Sequence, residues 1–348
     1  MSAGFQAVQW NRTKVIYDAV LIVCVGAFLL AFVAIAHQWH PPKSLADSID
    51  IWIRATGSCA FLMLTVILCI GPLARLNRRF LVLLYNRRHL GVLTFAIAAV
   101  HGWLMVEWFA AQDGLPDLIA DLTSFKDYDK FIGFPFKVLG IAALLILFLM
   151  AATSHDFWLA VIGPPAWKAL HMLLYAAYGL VVMHVALGIM QYERTLLIPL
   201  MLFGGFGAVS VLHVAAAWRE RATDAGSPFT ADGWIAVGPP RDIPDRAARI
   251  VCAPGGERIA VFRDGDEVGA LTNLCAHQHG PLGEGRIVDG CVTCPWHGYQ
   301  YRLSDGCAPA PYTEKLATYR VRISNGVVEV DPHPLPPGTP ASIVLRGG

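Results

Sequence analysis

Apolar residues run in long blocks through the first two thirds of the chain and then stop. Six blocks approach or exceed the ~20 apolar residues that cross a bilayer: residues 15–36, 53–74, 89–111, 137–154, 169–190 and 196–218. Beyond Trp218 the pattern changes to short β-type runs at 234–237, 249–251, 258–262, 268–271, 292–294, 317–323 and 327–330. Turn signals separate them, among them Arg263-Asp264-Gly265, Ser304-Asp305-Gly306 and Ser324-Asn325-Gly326. The pattern predicts an α-helical membrane bundle of six transmembrane helices followed by a small all-β domain. The expected organisation is a membrane domain at 1–218, a linker at 219–227, the all-β domain at 228–332 and a Pro/Gly-rich tail at 333–348. The first block follows Arg12 and Lys14, and Ala34-Ile35-Ala36 has the form of a cleavage site. Its apolar core exceeds the ~7–15 residues of a signal peptide, so it reads as an uncleaved anchor.

Composition agrees. The chain is 55% hydrophobic and 15% charged, with a mean hydropathy of +0.49; soluble chains carry ~25% charged residues. A net charge of +1 gives nucleic acid no footing. The loop between the second and third spans holds Arg75, Arg78, Arg79, Arg87 and Arg88. The next loop holds Asp113, Asp117, Asp121, Asp127 and Asp129. Basic loops stay inside. An even number of spans then puts both termini and the all-β domain in the cytoplasm of a bacterial inner-membrane type protein.

A histidine inside a span is costly and suggests function. The third span carries His89 at its start and His101 mid-way; the fifth carries His171 at its start and His184 thirteen residues later. At 1.5 Å per residue, His101 and His184 lie ~18–20 Å further across the membrane than His89 and His171. Matching depths on two helices suit a haem held by two imidazoles. The alternative is hydrogen bonding between helices. Spacings of twelve and thirteen residues turn the side chains by about 120° and 140°, so a second haem at His89 and His171 requires tilt or bending. His155 and His213 also fall near the inner face as substitute ligands. His37 and His40 read as ordinary loop residues at the outer surface.

Arg87-Arg88-His89-Leu90-Gly91 through Val100-His101-Gly102, and Trp167-Lys168-Ala169-Leu170-His171 through Val182-Met183-His184, resemble the third and fifth helices of the ferric reductase-like transmembrane domain. That family includes ferric reductases, NADPH oxidases and the bacterial haem subunit of the periplasmic methionine sulfoxide reductase system. The resemblance implies haem b between these helices, one or two copies, and electron transfer across the bilayer. The eukaryotic members continue into a flavin and nicotinamide domain, for which this chain has no G-x-G-x-x-G.

In the β-type half, Cys275-Ala276-His277 and Cys294-Pro295-Trp296-His297 are separated by sixteen residues. Each loop offers one thiolate and one imidazole. Two iron atoms, one with both thiolates and one with both imidazoles, make a Rieske [2Fe–2S] centre; zinc also accepts Cys₂His₂. Gly280-Pro281-Leu282 and Cys294-Pro295-Trp296-His297-Gly298-Tyr299-Gln300-Tyr301 closely resemble Rieske domains. Gly280 and Trp296 stand where Rieske proteins of cytochrome bc complexes carry two bridging cysteines. The match is therefore to Rieske ferredoxins and oxygenase Rieske domains. This implies a potential at the low end of the range of about −150 to +300 mV. Cys252, Cys291 and Cys307 are spare, and Cys24, Cys59 and Cys69 read as packing residues in spans. His279 reads as a surface residue near a docking face. An oxygenase also needs two histidines and a carboxylate on a separate iron, and only His333 follows the second loop.

The expectation is an oxidoreductase or electron-transfer component. A cytoplasmic donor, a reductase or ferredoxin-like protein, feeds the cluster, and haem passes electrons to a quinone or an external acceptor. The alternatives are a terminal metal or substrate reductase at the outer face and a membrane-anchored Rieske redox sensor. No catalytic acid or base is implied.

Overall fold

A computed structural model describes residues 12–84, 86–112, 114–123, 128, 133–193, 195–225 and 228–345. Asp113, Asp127 and Asp129 of the acidic loop, residues 226–227 of the expected linker and residues 346–348 of the tail lie outside them. The helices are α1 (Arg12–Trp39), α2 (Leu45–Leu76), α3 (Leu81–Leu84), α4 (Arg87–Ala111), α5 (Leu115–Thr123), α6 (Lys137–Ala152), α7 (Asp156–Ile162), α8 (Pro164–Leu187), α9 (Ile189–Tyr192) and α10 (Leu197–Asp224). Among the described residues, five helical stretches are long and apolar enough to cross a membrane: Lys14–Trp39, Leu45–Leu76, Arg87–Ala111, Pro164–Tyr192 and Leu197–Arg221. The pair α6 and α7, bent by 93°, makes a sixth if it forms one span.

Local chemistry sets the ends. Ser44 and Asp47 cap α2 reciprocally: the Asp47 amide donates to Ser44 Oγ at 3.1 Å, and Ser44 and Lys43 amides donate to Asp47 Oδ2 at 3.1 and 2.9 Å. The helix therefore begins eight residues before the expected span, and its first turns carry the Arg54–Asp50 ion pair. The fourth block, expected to run to 154, stops at Ala152. Thr153 and Ser154 turn their hydroxyls back onto Leu149 and Met150 carbonyls, and His155 Nδ1 caps α7 through the Phe157 amide at 3.1 Å. The sixteen residues of α6 rise about 24 Å, short of the ~30 Å hydrocarbon core.

The chain divides into two compact units. Among the described residues, one lies within 12–71 and 86–213, the other within 72–84 and 214–345. The expected linker needs correction: α10 continues through it to Asp224. Arg219, Glu220, Arg221 and Ala222 are good helix formers, so the helix outlasts its apolar stretch.

Among the described residues the β-rich unit has eleven strands: β1 (Ile235–Gly238), β2 (Ala247–Cys252), β3 (Arg258–Asp264), β4 (Glu267–Thr272), β5 (Arg286–Val288), β6 (Cys291–Thr293), β7 (Gln300–Arg302), β8 (Thr318–Tyr319), β9 (Val321–Ser324), β10 (Val327–Val330) and β11 (Ile343–Val344). They form antiparallel sheets ordered β1-β10-β9, β11-β4-β3-β2 with β8 also on β4, and β5-β6-β7. Alternation along β3 separates two cores. Ile259 and Val261 face one with Ile235, Ile243 and Tyr319; Ala260 and Phe262 face the other with Leu271, Leu282 and Tyr301. The run 317–323 is two strands, since β8 pairs with β4 and β9 with β10. The tail also needs correction: Ile343 and Val344 pair with Val268 and Glu267 as an edge strand.

Candidate functional site

Two loops of the β-rich unit, between β4 and β5 and between β6 and β7, carry the Cys and His residues. They close alike. The Cys275 amide bonds the Gly280 carbonyl at 2.9 Å and the His279 amide bonds Cys275 O at 2.8 Å. The Cys294 amide bonds Tyr299 O at 2.8 Å and the Gly298 amide bonds Cys294 O at 2.9 Å. The fourth residue after each cysteine has positive φ, 53° at His279 and 73° at Gly298. His279 therefore makes a turn that glycine makes in the other loop. Asn273 Oδ1 ties the first loop by accepting from the Gly283 amide at 2.7 Å.

Cys275, His277 and Cys294 are buried, and the His277 and His297 ring centres lie 5.0 Å apart at 90°. Two imidazoles on one tetrahedral metal, each with its nitrogen about 2 Å from the metal and its centre about 1.1 Å further, are separated by about 4.8–5.2 Å. Tyr299 stacks parallel on His277 at 4.5 Å, fixing its plane. The Cys294 thiol bonds to Cys275, which holds Cys275 below and Cys294 above the ordinary thiol range. Tyr301 Oη lies 3.3 Å from Cys275 Sγ. Burial pushes this phenol up, so it stays a donor. Among the described residues no three His, Cys, Asp or Glu side chains converge as a set for one ion. Ligands divided two and two between two irons need no such set. A β-carbon at Gly280 would stand 3.0 Å from Trp296 Cδ2 and 3.1 Å from Cys294 Sγ, so the Trp296 ring closes the loops over a bare glycine.

In the helical unit, α4 and α8 bring His101 and His184 together. Their ring centres are 6.4 Å apart at 90°. Each Nδ1 bonds a backbone carbonyl at 2.9 Å, Ile53 O for His101 and Phe136 O for His184. Nδ1 is then the protonated nitrogen and Nε2 keeps its lone pair. The same lengths laid end to end through a metal, with the imidazoles on opposite sides, give about 6.3 Å. Glycines seat both rings. A β-carbon at Gly57 would lie 2.9 Å from His101 Cε1, and one at Gly140 would lie 2.8 Å from His184 Cε1 and Nδ1. At Gly188, where α8 ends, a β-carbon would meet His184 O and Phe136 Cδ2 at 2.6 Å.

The other histidines have separate anchors. His171 Nδ1 bonds Trp167 O at 2.9 Å, its ring stacks on Trp167 at 3.7 Å, and its Nε2 is buried without a hydrogen-bond partner. His89 Nδ1 faces the Asp18 carboxylate of α1 at 2.7 Å. His213 uses both nitrogens, on Val209 O at 2.8 Å and Tyr175 Oη at 3.0 Å. His155 Nδ1 is occupied as a helix cap. With both ring nitrogens taken, His213 does not fit its role as a substitute ligand. His37 bonds within its own helix, to Val33 O at 2.8 Å.

Fold and site together define an integral multi-pass membrane protein joined to an iron–sulfur electron carrier. Comparison with known proteins agrees. Residues 56–182 match the ferric reductase like transmembrane component and residues 233–320 the Rieske [2Fe-2S] domain. The heme-binding subunit MsrQ of the Caulobacter vibrioides protein-methionine-sulfoxide reductase is 31% identical over 218 residues, 62% of this chain and 93% of that protein. The Polaromonas naphthalenivorans subunit of the same name is 27% identical over 176 residues, 51% and 74% of the two chains. The ferredoxin subunit of Burkholderia cepacia anthranilate 1,2-dioxygenase is 45% identical over 86 residues, 24% of this chain and 77% of that one. The chain belongs to the ferric reductase-like transmembrane family, with a Rieske domain of the ferredoxin and oxygenase type following the helices. It is a membrane electron-transfer protein.

Proposed function

We propose that the protein connects a cytoplasmic donor, a reductase or ferredoxin-like protein, to a quinone or an acceptor outside the membrane. In this reading Cys275 and Cys294 hold one iron of the [2Fe–2S] cluster and His277 and His297 the other. His101 and His184 would hold a b haem, and His89 and His171 would hold a second. Bound there, cluster and haems supply one-electron carriers. The chain's own residues fix the donor atoms: Ile53 and Phe136 carbonyls set the tautomers of His101 and His184, Gly57 and Gly140 make room for their rings, and Tyr299 orients His277.

The observation that carries the reading is the 6.4 Å separation of the His101 and His184 rings, with both Nδ1 atoms committed to backbone carbonyls. The name of the MsrQ relatives, heme-binding subunits, supports haem in this chain as well. A cytoplasmic Rieske domain is supported by the basic loop. Arg75, at the end of α2, lies 3.4 Å from Glu220 and from Glu284 within one compact unit. Positive loops stay inside.

The test is an optical spectrum of the detergent-purified chain, oxidised and dithionite-reduced, with a pyridine haemochrome assay and an iron count. The expected result is b-type bands, two non-haem irons per chain and one or two haems. His101→Ala and His184→Ala should each remove the same haem. Rieske absorption without any haem band, in protein made with haem supplied, would overturn the reading.

A further inference from the structure

An aspartate seven residues into the first helix is out of place by composition. Asp18 precedes an unbroken apolar run, and a carboxylate at such a position needs a defined partner. It has two. Its Oδ2 faces His89 Nδ1 at 2.7 Å, and its Oδ1 accepts from the Asn86 side-chain amide at 2.7 Å. That amide also lies 3.2 Å from His89 Nδ1, and Asn86 is buried. The carboxylate is thus clamped from one side and aimed at the imidazole from the other.

The other three candidate haem ligands are treated differently. His101, His171 and His184 each set Nδ1 on a backbone carbonyl, of Ile53, Trp167 and Phe136, all at 2.9 Å. His89 alone among the four has a carboxylate there. A carbonyl and a carboxylate select the same tautomer. The carboxylate also draws the Nδ1 proton toward itself and makes Nε2 the stronger donor. A stronger donor favours ferric over ferrous iron.

We propose that Asp18 is a positioning residue of the second haem which, through His89, gives that haem the lower potential of the two. The proposal rests on the reading of His89 and His171 as ligands, and adds the reason the two haems differ.

The test is a potentiometric titration of the b-type bands in the purified full-length chain, with haem counted by pyridine haemochrome. Wild type should give two transitions. In Asp18→Asn the lower transition should rise by about tenfold in the reduction equilibrium, ~59 mV for one electron, while the upper stays. Asp18→Glu should return it toward wild type. Asn86→Ala frees the carboxylate from its clamp and should move the lower transition down, the opposite sign. That variant decides the matter if Asp18→Asn fails to retain both haems. Two transitions that stay fixed in Asp18→Asn, or a shift of the upper one alone, would overturn the proposal and leave the two-haem reading standing. One haem and one transition in wild type would overturn the two-haem reading itself, and the proposal with it.

Discussion

Replacing Tyr301 with phenylalanine removes one hydroxyl and leaves the buried ring in place. That hydroxyl lies 3.3 Å from Cys275 Sγ in a site where both residues are buried. A ligating thiolate has no proton to give, so the phenol donates. Hydrogen bonds to charged groups are worth ~1.5–3 kcal/mol. The one-electron reduced cluster places more charge on its ligands than the oxidised one, so the bond strengthens on reduction. If roughly half its value changes, the reduced form loses ~1 kcal/mol in Tyr301→Phe, and at 59 mV per tenfold the potential falls by ~40 mV. Protein-film voltammetry, or titration followed by the Rieske electron paramagnetic resonance signal, measures it. An unchanged or raised potential with the cluster signal intact would refute the assignment of Tyr301 as donor to a ligating Cys275.

Gly140→Val and Gly57→Val push side chains into His184 and His101, whose atoms already lie 2.8 and 2.9 Å from the ideal β-carbons. Both should lower the haem-to-protein ratio in the pyridine haemochrome assay, whereas Gly91→Ala, with open space around it, should not. Gly280→Val meets Trp296 and Cys294 Sγ, and should shorten the lifetime of the cluster's visible absorption in air without changing haem content. Burial pushes the Glu284 carboxyl above its ordinary value, with Arg75 opposing. Its folded form thus favours the proton, and its contribution to stability is full below the ordinary value and falls as pH rises through the raised one. Glu284→Gln should therefore raise the thermal midpoint of the β-rich unit at pH 8 and not at pH 4, followed by visible circular dichroism of the cluster.

Sequence carried the architecture wherever one local signal was enough. Apolar block length located the helices, and the spacing of Cys275, His277, Cys294 and His297 located the loops. The partners of those residues were not legible, because they come from distant elements. Gly57 and Gly140 lie on α2 and α6, outside the helices that carry His101 and His184. Asp18 lies inside the first apolar block without having been singled out there, and nothing local ties it to His89. The linker and the tail misled for a composition reason. Polar helix formers after a span read as a connector, and a Pro-rich segment hides a two-residue edge strand whose register comes from β4. Tyr301 stood inside the second loop's motif, yet its aim at Cys275 depends on the β6–β7 hairpin, which only the fold supplies.

The bare Gly280 beneath the Trp296 ring has a consequence for how the centre is built and rebuilt. A clamp made of an indole and a missing side chain has no oxidation state. Glutathione cannot open it, and it calls for no oxidant or disulfide isomerase during maturation. Nor does the clamp itself place additional thiols beside the four ligands, where they would compete for incoming iron or trap the emptied loops in a wrong pairing. Loss of the cluster therefore breaks no covalent bond in this clamp, and rebuilding the centre requires none to be re-formed there.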